Sequence, residues 1–169
     1  SLGLRTPDHW AAMAILSGGV WRENVEHGLA VNAAATPIFM FCGENDRLYE
    51  HYKIMKREFT SVGATLKTRS VPDLGHNYTK EIQKESIEWL KKHTRTRPDH
   101  FEYVCNDPSH RGAWGITMDY CLNVDGLPSF TCDIDGDTVR ITSLGTPGLT
   151  IELGESGLGL SGDVTVVWN

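Results

Sequence analysis

Asp46 and His76 are the two residues of this chain whose types and spacing point to a reaction. Asp46 closes the stretch Gly43-Glu44-Asn45-Asp46, directly after the apolar run Pro37 to Gly43 (PIFMFCG). His76 lies in Asp73-Leu74-Gly75-His76-Asn77-Tyr78, after a second β-like run, one helix and one strand further on. An imidazole titrates near pH 6.5, so it can take and return a proton at neutral pH. A carboxylate beside it fixes the ring's tautomer through a hydrogen bond to one nitrogen. In an open parallel sheet both loops would leave the carboxyl ends of neighbouring strands, where such sheets place their sites. Each residue also has a plainer reading. Asp46 suits the cap of the helix that follows, and His76 could be one more loop histidine beside His51, His93, His100 and His110. Glu44 competes for the acid role, but it follows Gly43 directly and is expected to point elsewhere.

Positioning these two side chains needs strands and helices in alternation, and the pattern supplies them. Trp10 to Leu16 (WAAMAIL), closing in Ser17-Gly18-Gly19, reads as a buried strand and turn, as does Pro37 to Gly43. From Arg47 to Val62, Leu48, Tyr52, Met55, Phe59 and Val62 form one helical stripe, and Gly63 supplies the stop. Thr65 to Val71, rich in β-branched residues, is the next strand. From Lys80 to His93, Ile82, Ser86, Ile87 and Leu90 share one face, and Lys91, Lys92 and His93 suit the helix C-terminus. Asn24 to Ala35 reads as a short helix or a crossing loop. Strands alternating with helices predict a mostly parallel α/β sheet.

The period changes after Thr94 to His100 (TRTRPDH), a polar stretch with a proline that reads as a linker. Phe101-Tyr103-Cys105, Trp114 to Leu122, Phe130-Cys132-Ile134, Val139-Ile141, Leu149-Ile151-Leu153 and Val164-Val166-Trp168 alternate apolar with polar positions. Turn signals separate them at Asp125-Gly126, Asp135-Gly136, Pro147-Gly148 and Gly162-Asp163. Six short strands of this kind predict a small all-β sandwich. The expected organisation is an α/β unit over residues 1–93, a linker over 94–100 and a β-sandwich over 101–169.

Composition narrows the function classes. The 169 residues are 40% hydrophobic and 22% charged, ordinary for a globular chain. A formal net charge of -6 argues against non-specific nucleic-acid binding, which needs a concentrated basic face. No stretch approaches the roughly 20 apolar residues that cross a bilayer. Ser1 is not an initiator methionine, so targeting signals can lie outside these residues. Of four cysteines, Cys42 reads as a small buried hydrophobe, and Cys105, Cys121 and Cys132 leave room for one disulfide with an odd thiol over.

Residues 1–93 resemble the C-terminal half of an α/β-hydrolase, in the esterase-like group of dienelactone hydrolases, feruloyl esterases and polyhydroxybutyrate depolymerases. The resemblance rests on Leu2 to Ala12 as the end of the nucleophile helix and its exit, and Ser17-Gly18-Gly19 as a strand end. Gly43 to Arg47 (GENDR) matches the acid loop and Asp73 to Tyr78 (DLGHNY) the histidine loop. Residues 97–169 resemble the β-sandwich appended to some bacterial members. The resemblance implies ester hydrolysis through an acyl-serine, with Asp46 orienting His76 as base and then acid. It implies a small or polymer-linked ester as substrate, no organic cofactor, and a lean toward a secreted or periplasmic setting.

The nucleophile elbow, G-x-S-x-G, is missing from the sequence. Ser1-Leu2-Gly3 mimics part of it but leaves too few residues for a helix before Pro7. Ser17 follows a strand, but Val20-Trp21-Arg22 does not clearly open the required helix. The chain therefore reads as a fragment or truncated form whose serine comes from elsewhere. If it is the whole polypeptide, its uncovered sheet edge is expected to drive self-association. A rival reading is a non-catalytic module that binds a carbohydrate or a partner, and a third is a metal-assisted activity using Asp46 and His76. Trp114 and Tyr120, expected on one sandwich face, read as packed core, and would form a carbohydrate platform only if exposed. Asp133-x-Asp135-Gly136-Asp137 opens like a calcium loop but has Leu144 in place of the closing glutamate, and is expected to be a hairpin turn.

Overall fold

The computed structural model describes residues 2–18, 28–122 and 126–169. Ser1, Gly19, Val20-Trp21-Arg22, Asn24 and Asp125, which figured in the expectations above, lie outside them.

The centre of the N-terminal part is a three-stranded parallel sheet in the order β1-β2-β3, formed by Met13–Leu16 (β1), Ile38–Gly43 (β2) and Leu66–Val71 (β3). All six residues of β2 are buried, which explains why its sequence is a continuous apolar run rather than an alternating one. The period of two then sorts that run between two layers. Ile38, Met40 and Cys42 pack against Tyr52, Met55 and Phe59 of the helix Tyr49–Ser61 (α2), after the short helix Leu2–Arg5 (α1). Phe39 and Phe41 face the other way, onto Ile82 and Trp89 of the helix Lys80–Leu90 (α3).

Of the expected stripe, Tyr52, Met55 and Phe59 are buried on α2 while half-buried Leu48 and Val62 cap its two ends, and the chain leaves it through Gly63 at φ +75. α3 starts at Thr79, whose hydroxyl accepts the Ile82 amide at 3.3 Å, a side-chain N-cap. Its expected apolar face is narrower than the sequence suggested: Ile82 and Ser86 are buried, but Ile87 is exposed. β1 is also shorter than Trp10 to Leu16. It pairs only with β2 among the described residues, and its other side opens on an apolar groove of about 480 Å³ that includes Trp10, Met13, Met55 and Leu90.

From His100 onward the chain forms two further sheets. One has the order β10-β8-β7-β4, from Thr165–Trp168 (β10), Thr138–Leu144 (β8), Ser129–Asp135 (β7) and His100–Val104 (β4). The other is β5-β6-β9, from Gly112–Ala113, Ile116–Met118 and Leu149–Ile151. Both contribute to one apolar cluster: Phe101, Tyr103, Phe130, Cys132, Val139 and Ile141 from the first sheet, and Ala113, Ile116 and Met118 from the second. Asp135 and Thr138 pair across the two-residue turn Gly136-Asp137, so the calcium-loop look-alike is a hairpin.

Two strand expectations need correction. Trp114 to Leu122 is not one strand. Trp114 (φ 56) and Gly115 (φ 85) turn the chain between β5 and β6, and a Cβ on Gly115 would stand 2.5 Å from the Gly157 Cα. Trp114 is consequently buried while Tyr120 is 67% exposed, so they do not form a joint aromatic platform. The second correction concerns the last strand. β10 pairs parallel with β8 at the sheet's edge, and Val166 and Trp168 are exposed instead of lining the core.

The two parts of the chain are bonded to each other. Buried Asn32 donates to the carbonyls of Leu4 and Val104, both at 2.8 Å, and accepts the Val104 amide at 2.7 Å. Asp8 accepts the Trp114 amide at 3.1 Å, and Arg95 donates to the Asp8 carbonyl at 2.9 Å. Because Asn32 saturates both backbone groups of Val104, Asn32→Leu is expected to leave them unpaired and destabilise the protein by about 1–3 kcal/mol. Urea denaturation measures this, and an unchanged midpoint would refute it.

Candidate functional site

The site grows out of the carboxyl ends of β2 and β3. Beyond β2 the backbone of the acid loop is tied to the neighbouring chain: the Glu44 amide donates to Val71 O at 2.9 Å and the Asn45 amide to Leu74 O at 3.0 Å. These bonds set the loop carrying Asp46 directly against the loop carrying His76. Gly43 is needed for that approach. A Cβ at this position would collide with the Leu74 carbonyl and lie 2.6 Å from the Gly75 carbonyl. The glycine thus serves the close passage of the histidine loop.

Asp46 and His76 meet. The Asp46 Oδ2 atom lies 2.9 Å from His76 Nδ1. The carboxylate is completely buried at its side chain, whereas the imidazole is 54% exposed. Oδ1 accepts the Leu48 amide at 2.9 Å at the entrance to α2, so Asp46 performs the capping role with one oxygen and holds the histidine with the other. A third contact was not foreseen: the Cys42 thiol donates to Oδ2 at 3.6 Å. Burial first, and the Asp46 charge second, push that thiol up to about 11, so it stays protonated and can donate. By sequence alone Cys42 reads only as a small hydrophobe. Its place four residues before Asp46 on a fully buried strand was the available hint.

Burial by itself would push the Asp46 carboxyl up. The Leu48 amide, the His76 ring and the Cys42 thiol outweigh it and hold the group below the ordinary carboxylate range. The sign for stability follows from linkage. A folded value below the unfolded one (about 3.9) gives stabilisation that is complete above the unfolded value and is lost as pH falls through the folded one. The urea midpoints of the protein and of Asp46→Asn are therefore expected to differ most near neutral pH and to converge below about pH 4. A difference independent of pH would contradict this origin.

Glu44 is exposed and accepts the Ser70 hydroxyl at 2.7 Å, away from the histidine, as expected. Ser17, at the end of β1, is buried with φ 47, and its hydroxyl donates to the Asn77 carbonyl at 3.0 Å. It thus braces the residue after His76, and its proton is directed to a backbone carbonyl. Among the described residues no cluster of three or more His, Cys, Asp or Glu side chains could hold a metal ion. No helix among them is long and apolar enough to cross a membrane.

The fit at Gly43 yields an expected result. Gly43→Ala must push the Leu74-Gly75 backbone away and His76 with it. In a polypeptide that also supplies a nucleophile, a displacement near 1 Å would cost about a hundredfold in turnover, because such a site depends on alignment. Steady-state kinetics read the loss, and a crystal structure of the variant with His76 unmoved would contradict the cause.

No family model matches this chain, and no curated protein does. Among solved structures, similarity is found to SOBER1 of Arabidopsis thaliana, at 27% identity with a TM-score of 0.40. Two single-substitution variants of the same protein match at 26% and 27% identity with the same TM-score. In each case the match covers 48% of this chain and 40% of the other. A partial overlap at that score assigns neither fold nor activity here.

Proposed function

We propose that this chain carries the acid and base of a serine-dependent carboxylic-ester hydrolase of the α/β-hydrolase type. The observation that carries this reading is the 2.9 Å contact between buried Asp46 Oδ2 and exposed His76 Nδ1, at the ends of adjacent parallel strands. The ring is held through Nδ1 and is 54% exposed, which leaves Nε2 as its proton-transferring nitrogen. It can take a serine proton as the hydroxyl attacks an ester carbonyl, then return it to the departing alcohol. Asp46 stabilises the imidazolium formed between those steps without itself accepting the proton.

The order of the GENDR and DLGHNY loops supports membership of the dienelactone hydrolase, feruloyl esterase and polyhydroxybutyrate depolymerase group. The apolar cluster shared by two sheets supports a β-sandwich over 101–169. We assign the nucleophile to a serine outside the described residues, because the Ser17 hydroxyl is buried and bonded to Asn77. Exposure to a fluorophosphonate probe, with the adduct located by mass spectrometry, tests this. Ser17 is expected to remain unlabelled, and an adduct there would overturn the assignment. Esterase turnover that survives the probe but not EDTA would favour metal-assisted chemistry instead.

The apolar groove beside β1 supports self-association if these residues are the whole polypeptide. Sedimentation velocity at micromolar concentration decides, and a sharp monomer boundary would count against it.

A further inference from the structure

We propose that Cys105 and Cys121 form an oxidisable dithiol site. It closes to a disulfide by exchange with a small aliphatic disulfide and covalently ties the two C-terminal sheets together.

The pair is set by the fold. Cys105 directly follows β4 in the four-stranded sheet, with its amide donating to Pro128 O at 2.8 Å. Cys121 follows β6 in the three-stranded sheet, 16 positions along the chain. Their sulfurs lie 3.2 Å apart, the Cys121 thiol donating to Cys105. A disulfide needs about 2.05 Å, a closure of roughly 1.2 Å from the observed separation. Among the described residues no other two cysteines share a hydrogen bond. The Cys42 thiol is engaged with Asp46, and Cys132 is enclosed in the apolar cluster.

The two sulfurs differ in access, which orders the chemistry. Cys105 is 3% exposed, and burial, followed by the hydrogen bond from Cys121, pushes its thiol up to about 12. Cys121 is only partly buried and is the entry point. Its thiolate attacks one sulfur of an external disulfide such as oxidised glutathione, leaving a mixed disulfide and releasing one thiolate. The Cys105 sulfur, giving its proton to solvent, then attacks Cys121 Sγ and expels the second glutathione. The protein loses two hydrogens, and the external disulfide is reduced to two thiols.

The bond would close next to the junction between the two parts of the chain. Cys105 lies within hydrogen-bond distance of the Asp107 and His110 carbonyls, at 3.4 and 3.5 Å. Asp107 pairs with Arg5 at 3.3 Å, and the Tyr103 hydroxyl stands 2.8 Å from Arg5 O and 2.7 Å from His110 O. Closure would therefore restrain the segment that meets α1.

The test is to equilibrate the folded protein in a graded series of oxidised and reduced glutathione, quench with iodoacetamide and map the peptides. The expected product is a protein linked from 105 to 121, with both residues protected from iodoacetamide and the linked pair two hydrogens lighter than the dithiol. Its melting temperature should be higher by about 10 °C, reversibly with dithiothreitol. Cys105→Ser is expected to retain glutathione on Cys121. Should that buried variant fail to fold, Cys121→Ser must abolish both the link and the thermal shift. A lasting glutathione adduct on Cys121 of the unsubstituted protein, a link through Cys42 or Cys132, or thiols untouched across the series would each overturn the proposal.

Discussion

His76→Ala is expected to lower ester turnover by about 10⁴-fold in the polypeptide that supplies the serine, and Asp46→Asn by a similar factor. The two losses have different causes. Removing the imidazole leaves no group at this position to take the serine proton. Removing the charge of Asp46 leaves the imidazole in place with the wrong tautomer favoured, since an amide nitrogen at Oδ2 would donate to Nδ1 and force the ring proton onto Nε2. Because both residues act as one unit, the double variant should be little worse than either single one. The pair can also be examined without a nucleophile. A hydrogen bond between imidazole Nδ1–H and a buried carboxylate shifts that proton far downfield in the NMR spectrum. The resonance should vanish in Asp46→Asn. Turnover unchanged in His76→Ala would remove these residues from the chemistry.

What the sequence disclosed and what it concealed have distinct physical origins. β2 and α2 were legible because burial on both faces of a strand, or along one stripe of a helix, imposes a pattern no loop has a reason to keep. Asp46 and His76 could be placed together because two loops at the ends of neighbouring parallel strands have few other places to go. The Cys42 contact and the true role of Gly43 were hidden, since both arise from packing between segments distant in sequence. The misread strand from Trp114 to Leu122 shows the reverse. Alternation continued through Trp114-Gly115, but a positive φ at both residues broke the strand, and a tryptophan gives no sign that it will adopt one. The exposed strand Thr165–Trp168 kept an apolar sequence without a core to bury it in, which composition cannot distinguish from a packed one.

The largest expected effect on folding comes from Phe41→Ala. Phe41 is fully enclosed between β2 and α3, so truncation removes its transfer free energy and leaves a cavity that a rigid parallel strand cannot collapse to fill. The cost should be about 3–5 kcal/mol, a large part of the 5–15 kcal/mol typical of a whole domain. Urea denaturation at neutral pH measures it, and a loss below about 1 kcal/mol would show that the site repacks. The consequence for the site follows from the partners of that ring. Leu74, two residues before His76, packs on the same cluster as Phe41 and Ile82, and the Phe41 carbonyl accepts the Ser17 amide at 2.8 Å. Ser17 in turn braces Asn77, on the other side of the histidine. The histidine loop is thus supported from both ends by one residue of the central strand. Amide exchange in Phe41→Ala, under conditions where the variant remains folded, should accelerate at residues 74–77 more than along α2, which faces the opposite layer. Equal acceleration in both would mean that the loop is held by the fold as a whole and not by this ring.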